Sequence, residues 1–400
     1  MEPVATLDFE QARASVLSQL CANRSAPLAE ELDLLEASGR VLAEAITADR
    51  DYPPTDRSVR DGFAVRASDL PGDLEIAGEI RAGQSAQLTL QPGQAIEIMT
   101  GAPIPQGADA VVMIEHTTVT GNRVMIERTL TSGENTSRRG SEMRQAQTVL
   151  LPGVRLGFAE VALLATLGRR RLRVYVKPKI AILATGDELT GIEESPLPHQ
   201  VRNSNAFSLA AQVQRAGGRP IILGVAKDEY NSTLDLIERG LAADLLLLSG
   251  GVSAGRYDIV EKVLGDLGAE FFFDRVRIQP GQPLVFGTVR GKFFFGLPGN
   301  PVSTMVTFEL FARAAVEILG GQTETLLPLT WCRLSEDFHQ KIGLTRFLPA
   351  RLNADGSRVT PLQWQGSADI AGLTRANAFL VTEAGRESWA EGDLIRVLLK

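Results

Sequence analysis

Three short segments combine carboxylates, hydroxyls and glycines in patterns suited to holding anions. Thr185-Gly186-Asp187-Glu188-Leu189 puts two adjacent carboxylates just after an apolar run. Such a pair can hold Mg²⁺ together with water and phosphate oxygens, or Asp187 can simply cap the element that follows. Ser249-Gly250-Gly251-Val252-Ser253-Ala254-Gly255, with Asp258 shortly beyond, carries two successive glycines. Without a Cβ in the way, backbone N–H groups can turn toward an anion; a plain tight turn is the alternative. The segment is not a P-loop, because no lysine follows, and it lacks the G-x-G-x-x-G of nicotinamide dinucleotide sites. In Leu297-Pro298-Gly299-Asn300-Pro301-Val302-Ser303, Asn300 suits an N-cap and Pro301 the first helical position. That account leaves Pro298 and Gly299 over. They stiffen the approach to a helix whose amino end suits an anion.

Two loops of the first half are weaker signals. Asp56-Arg57-Ser58-Val59-Arg60-Asp61-Gly62-Phe63-Ala64-Val65 contains an Asp-Gly pair, most often a turn, and Met99-Thr100-Gly101-Ala102-Pro103 carries one hydroxyl. Arg138-Arg139 before Gly140 reads either as a solvated surface pair or as a phosphate clamp.

The elements that must position these loops follow from periodicity. Ile180–Ala184, Ile221–Val225, Leu245–Leu248 and Phe293–Phe295 are short continuous apolar runs, as expected of parallel strands buried on both faces. Helical patterns at Asn205–Ala216, Leu234–Leu241, Ile259–Leu267 and Val302–Leu319 separate them. The alternation predicts an open α/β sheet, whose ligands sit at the carboxyl ends of its strands. Phe9, Ala12, Val16, Leu17 and Leu20 predict a helix over residues 8–21, and a second is expected over Leu34–Ala45. From Thr47 to about Gly140, short alternating runs such as Ala95–Met99 and Ala110–Ile114 predict a β-rich module. A helix over Gly157–Leu167 follows. Near the end, Phe347–Leu352 and Arg358–Leu362 flank a hairpin loop at Asn353–Gly356, and Leu394–Leu399 is a closing strand. The expected domains are residues 1–46 with 141–176, 47–140, 177–322 and 328–400. There are no internal repeats.

Bulk properties narrow the function classes. A chain of 400 residues needs more than one core. A net charge of −7 argues against nucleic acid as the main partner. Two distant cysteines, Cys21 and Cys332, exclude a disulfide framework and favour a reducing compartment, and His116, His199 and His339 are too scattered for zinc spacing. The first twenty residues lack the pattern of a signal peptide, and no apolar run can span a bilayer. The expected location is cytoplasmic, with no membrane contact.

Taken in order, the segments resemble the molybdopterin molybdenumtransferases, the family that includes the E domain of gephyrin. The resemblance is carried by Asp61–Val65, Met99–Pro103, Thr185–Leu189, Ser249–Ser253 and Leu297–Ser303, with Gln365-Gly366-Ser367 and Ala376-Asn377 near the end. It implies a multidomain α/β protein: a central open α/β molybdopterin-binding domain, an N-terminal elongated domain, a β-rich inserted domain and a C-terminal β-barrel. It also implies an elongated homodimer, possible contact with the molybdopterin adenylyltransferase, and a reaction in which molybdate is inserted into adenylylated molybdopterin and AMP is released.

Carried over position by position, the resemblance implies catalytic roles for Asp61, Thr100, Glu188, Asp228 and Asp258, with Asp61 and Thr100 reaching the site from the partner subunit. Asp187, Glu188, Asp228 and Asp258 are the implied ligands of Mg²⁺. Thr185, Gly186, Ser204, Ser249, Gly250, Gly251, Val252 and Ser253 would contact the pterin and its phosphate. So would Gln279, Gly281, Gln282, Pro298, Gly299, Asn300, Pro301 and Ser303.

The chain departs from the family pattern at three places. Gln279-Pro280-Gly281-Gln282-Pro283 stands where Lys-Pro-Gly-Lys-Pro is usual, Asn203-Ser204-Asn205 where Asp-Ser-Asn is, and Gly140-Ser141-Glu142 where Gly-Glu-Asp is. A strand over Asp274–Ile278 would put Arg275, Arg277 and Gln279 on one side, so that a guanidinium could replace part of the lost charge. The loss of both lysines keeps a second reading open, a paralogue that carries molybdopterin or the finished cofactor without inserting metal. A receptor-clustering scaffold ranks third.

Overall fold

A computed structural model describes residues 6–85, 87–251 and 259–400. The chain forms two compact units, one holding the N-terminal segment to Ala43, Pro152–Ala162 and Arg170–Lys400, the other Glu44–Leu151 and Leu163–Arg169. The helices used below are α1 (Phe9–Asn23), α2 (Phe158–Thr166), α3 (Asn205–Arg215), α4 (Tyr230–Gly240), α5 (Ile259–Asp266), α6 (Pro301–Thr307) and α7 (Arg313–Leu319).

The larger unit is built on a six-stranded sheet: β1 (Lys179–Thr185), β2 (Arg219–Ala226), β3 (Leu245–Ser249), β4 (Glu270–Phe273), β5 (Val285–Val289) and β6 (Lys292–Leu297). Their spatial order is β2-β1-β3-β6-β5-β4. The four runs recognised as parallel strands are parallel to one another, and β5 and β4 add an antiparallel edge. The uninterrupted apolar runs are explained by two cores. Ile180, Ile182, Leu245, Leu247, Phe293 and Phe295 face the side covered by α1, α3, α6 and α7. Ala181, Leu183, Leu246, Leu248 and Phe294 face the side covered by α4 and α5. Each strand therefore needs apolar residues at successive positions.

Helix α1 begins with a reciprocal capping box between Asp8 and Gln11 and buries Phe9, Ala12, Val16 and Leu20 at helical spacing. The last strands of the chain close on themselves. Thr345–Leu352 pairs with both Arg358–Pro361 and Ala378–Thr382, and Leu329–Leu334 and Leu394–Leu399 complete a five-stranded barrel. The smaller unit carries a six-stranded sheet ordered Ala110–Met113, Gly62–Val65, Gln94–Ile98, Gly72–Ile80, Arg123–Ile126 and Thr118–Thr120. The fold is multidomain α/β, as expected.

Four local expectations are corrected. No helix forms over Leu34–Ala45. The N–H groups of Leu34, Gly39, Leu42 and Ala43 instead donate to Arg170, Leu156, Val154 and Arg173, and Gly39 has φ +76°. Those long-range bonds replace the i→i−4 ladder. The long helix over Val302–Leu319 is α6 and α7 joined through a π-helical segment, Phe308–Ala312. Strand β2 is an edge strand, with Ile221 and Ile222 about two-fifths exposed, at 37% and 42%. The strand over Asp274–Ile278 is broken at Arg277. Arg275–Val276 pairs with Thr6–Leu7, and Ile278–Gln279 pairs with Thr345–Arg346. The expected alternation survives the break: Val276 and Ile278 are buried, Arg277 and Gln279 exposed.

Phe286 lies at the centre of a ring cluster, with centroids 4.6 Å from Phe295 and 5.8 Å from Phe293, and Phe272 and Phe273 tilted against it. Phe286→Ala should lower unfolding free energy by about 3–5 kcal/mol, because the side chain is fully buried and its neighbours belong to different strands. Urea denaturation followed by fluorescence measures it; a loss below about 1 kcal/mol would mean the cluster collapses into the void.

Candidate active site

Strand register places the chemistry. Ala184 pairs with Ser249, and Ser249 pairs with Leu297. The loops that leave β1, β3 and β6 therefore start side by side at one end of the sheet. A cleft of about 830 Å³ opens there. Its walls include Thr185, Gly186, Glu188, Ser204, Asp228, Gly250 and Gly251, all expected from the sequence. Pro298, Gly299, Asn300 and Pro301 form a further wall, and Pro283, Ala368 and Ile370 border it.

The paired glycines are required by close approach, not by turn geometry alone. Gly250 has φ +89° and a Cβ there would lie 2.7 Å from the Thr185 carbonyl oxygen; at Gly251, φ is +63° and a Cβ would lie 2.5 Å from Thr185 Oγ1. The two loops could not pack this closely with any side chain present. Thr185 is buried, and its hydroxyl oxygen has no hydrogen-bond partner among the described residues. A polar atom in that condition at a cleft wall is placed to bond a ligand that enters the cleft.

Asn205 ties the loops together. Its side-chain amide donates to Ser249 Oγ at 2.8 Å and to the Gly299 carbonyl at 2.8 Å, while its own Oδ1 is buried and unpartnered. Asn203 Oδ1 accepts from the Ala206 N–H and so caps the start of α3. Asn300 sits at the N-cap position of α6 with Pro301 next, but its side chain makes no capping bond; its carbonyl accepts instead from the Thr304 N–H and hydroxyl.

The carboxylates divide. Glu188 and Asp228 line the cleft, whereas Asp187 accepts the Asp228 backbone N–H at 3.2 Å. Among the described residues no group of three or more His, Cys, Asp and Glu comes together. The expected sites Val252, Ser253 and Asp258 lie outside the described residues. Ser249 is buried behind the wall, bonded to Asn205, and Ser303 is buried, its carbonyl accepting from Thr307. Gln279, Gly281 and Gln282 do not line the cleft, and neither do Arg275 and Arg277; Pro283 is the part of that segment that does.

In the smaller unit, Asp61 and Thr100 meet. The Thr100 N–H donates to Asp61 Oδ1 at 2.6 Å, and this bond, helped by the threonine hydroxyl, holds the Asp61 carboxyl below its usual range. Gly62 is no turn residue: it starts a strand, and a Cβ there would lie 1.9 Å from the Val112 carbonyl oxygen. Arg138 and Arg139 are both exposed, as the reading of a solvated surface pair expects, and Arg139 pairs with Asp51.

Known families match along most of the chain. Residues 7–168 match the "MoeA N-terminal region (domain I and II)", residues 181–318 the "Probable molybdopterin binding domain", and residues 332–400 the "MoeA C-terminal region (domain IV)". The molybdopterin molybdenumtransferase of a Nostoc species is 41% identical over 92% of this chain and 88% of its own length. This chain belongs to the molybdopterin molybdenumtransferase family. It is a transferase of molybdenum-cofactor biosynthesis. The family's Bacillus subtilis member is 36% identical over 92% of this chain and 89% of its own. The crystal structure of a molybdopterin biosynthesis MoeA protein from Pyrococcus horikoshii OT3 superposes with a TM-score of 0.80 at 28% identity, covering 99% of this chain and 100% of that one.

Two site residues escaped the reading of the family motifs. Asn205 was visible only as the last member of a three-residue motif, and its role depends on a span of 94 residues to Gly299. Arg202 lines the cleft and had no motif of its own. Asn205→Ala would leave the buried Ser249 hydroxyl and the Gly299 carbonyl without their donor. Thermal unfolding should register a loss of about 1–3 kcal/mol. An unchanged melting temperature would show that water replaces the amide.

Proposed function

We propose that the chain inserts molybdate into adenylylated molybdopterin and releases AMP. The observation that carries this reading is the cleft at the ends of β1, β3 and β6, where two exposed carboxylates, an orphaned threonine hydroxyl and two positive-φ glycines share one space of about 830 Å³. Family membership supplies the substrate class.

In this reading Thr185, Gly186, Ser204, Gly250 and Gly251 hold the pterin and its phosphate, with Pro298–Pro301 as a rigid wall beside the glycine loop. Gln279 and Gln282, which do not line the cleft, stand where the family pattern has lysines. Mg²⁺ takes one or two carboxylates and otherwise keeps water and phosphate oxygens. The donor set fits that demand: Glu188 and Asp228 would hold the ion, with Asp187 orienting the Asp228 backbone and Asp258 as a further ligand. When bound, the ion would neutralise charge developing on the phosphate as the adenylate is cleaved. The protein's own part is to fix the phosphate against the glycine loop and keep the leaving AMP in line.

The same reading makes the chain a cytoplasmic homodimer that receives its substrate from the molybdopterin adenylyltransferase. Supporting self-association, α2 has the sequence Phe-Ala-Glu-Val-Ala-Leu-Leu-Ala-Thr, yet buries only Leu164, and Phe158 is 93% exposed. Among the described residues no helix is long and apolar enough to cross a membrane.

Two experiments test the proposal. Purified protein given adenylylated molybdopterin should release AMP only when molybdate is added, and Glu188→Gln should abolish release with the melting temperature unchanged. Tight molybdopterin binding without molybdate-dependent release would favour the carrier reading, which the glutamines at 279 and 282 support. A Glu188→Gln chain that fails to fold would make that residue structural. Separately, mixing inactive Asp61→Ala with inactive Glu188→Gln should restore up to about a quarter of wild-type activity per subunit, since exchanged dimers carry one intact site if Asp61 acts in the partner subunit. No recovery despite demonstrated subunit exchange would place Asp61 in the site of its own chain.

A further inference from the structure

Among the described residues, three charged side chains line the cleft: Glu188, Asp228 and Arg202. Arg202 is thus the one cation of that wall, in a site whose proposed substrates are anions. Its surroundings hold it in place. Leu189–Thr190 and Val201–Arg202 pair as two short parallel strands, with the Val201 N–H donating to the Glu188 carbonyl and the Asn203 N–H to the Thr190 carbonyl. Arg202 is thereby fixed across from Thr190, one residue beyond the Val201 that bonds the Glu188 carbonyl. The connecting turn is locked as well: the buried Thr190 hydroxyl and the Gly191 N–H both donate to the Glu194 carboxylate, which they hold below its usual pKa range. The main-chain carbonyl of Glu194 then accepts Arg202 Nε–H at 3.0 Å.

That bond occupies only one of the five guanidinium N–H groups. The two terminal amino groups make no hydrogen bond or ion pair among the described residues, and the residue is exposed. A guanidinium oriented through Nε with both Nη groups open can present a planar fork to phosphate oxygens. Neither Gln279 nor Gln282 lines this wall, so nothing in that segment duplicates the charge.

We propose that Arg202 is a substrate-binding residue that clamps the phosphate of the pterin–adenylate link in this cleft, and that Thr190 and Glu194 are positioning residues for its guanidinium. The inference rests on the function proposed above and deepens it. It assigns anion recognition to the short-strand wall, and it puts a guanidinium in the same cleft as the two carboxylates, so that one phosphate can meet positive charge both from the chain and from a carboxylate-held cation.

The test is calorimetric titration of the full-length protein with adenylylated molybdopterin, AMP and adenosine at several salt concentrations. Arg202→Ala should weaken binding of the first two about 10- to 100-fold, the range of a lost charge-assisted hydrogen bond. Adenosine, which has no phosphate, should bind as to the wild type. The salt dependence of affinity should become shallower. Arg202→Lys should recover part of the loss, because it restores charge but not the fork, and Thr190→Val should give an intermediate loss at unchanged salt dependence. Because Arg202 is exposed and its strand is held by backbone bonds, the melting temperature should stay within a degree or so. Equal affinity of wild type and Arg202→Ala for adenylylated molybdopterin would overturn the clamp and leave the proposed reaction standing. Equal weakening for adenosine and AMP would also overturn it, since the loss would then not be a phosphate effect. A wild-type protein that binds neither adenylylated molybdopterin nor AMP would overturn the proposed function and the clamp together.

Discussion

The site depends on the register of three parallel strands. Ser249 lies between Ala184 and Leu297 in the ladder, so three loops of unrelated sequence leave the sheet at the same level. A one-residue slip of β3 would exchange its two apolar faces, moving Leu245 and Leu247 from one core to the other. It would also move Gly250 out of contact with Thr185. Burial on both faces is therefore what fixes the height of the glycine loop. The bonds of Asn205 to Ser249 and Gly299 then fasten the loops at that height. The apolar term is large and non-directional; the polar term is small and specific. The first selects the sheet and the second selects the loop geometry.

Much of this was legible in the sequence, and for a physical reason. A strand buried on both faces has to be apolar at consecutive positions, so Ile180–Ala184, Leu245–Leu248 and Phe293–Phe295 announced themselves. Helix α1 announced itself through apolar spacing. What was hidden depended on contacts distant in sequence. Leu34–Ala45 has helical spacing, but the N–H groups of Leu34, Gly39, Leu42 and Ala43 are satisfied by residues 112 to 136 positions away, from Leu42 to Val154 and from Leu34 to Arg170. Ile221–Val225 has the composition of a central strand and lies at an edge. Composition reports that a segment can be buried, not how many neighbours it finds.

The site shows the same division. Paired glycines, the Pro-Gly-Asn-Pro segment and the acidic pair could be picked out because each needs an unusual local residue. Arg202 and Asn205 could not, since an arginine before a helix and an asparagine at its start are ordinary by themselves. Asp61 and Thr100 were joined by motif resemblance alone; the hydrogen bond between them shows that the two loops share a local purpose within their own unit.

Place relative to the cleft wall bears on how much the glutamines at 279 and 282 change. Coulomb energy between unit charges falls inversely with separation, and exposed charges more than about 10 Å apart are largely screened at ordinary salt. Gln279 and Gln282 are exposed and stand off the cleft wall, whereas Glu188, Asp228 and Arg202 are on it. Charge on the second set acts directly on whatever fills the cleft. With two carboxylates against one guanidinium, the described wall is net negative, so an anionic ligand entering alone would meet repulsion. A site of this sign is suited to a phosphate that arrives with its own counter-ion.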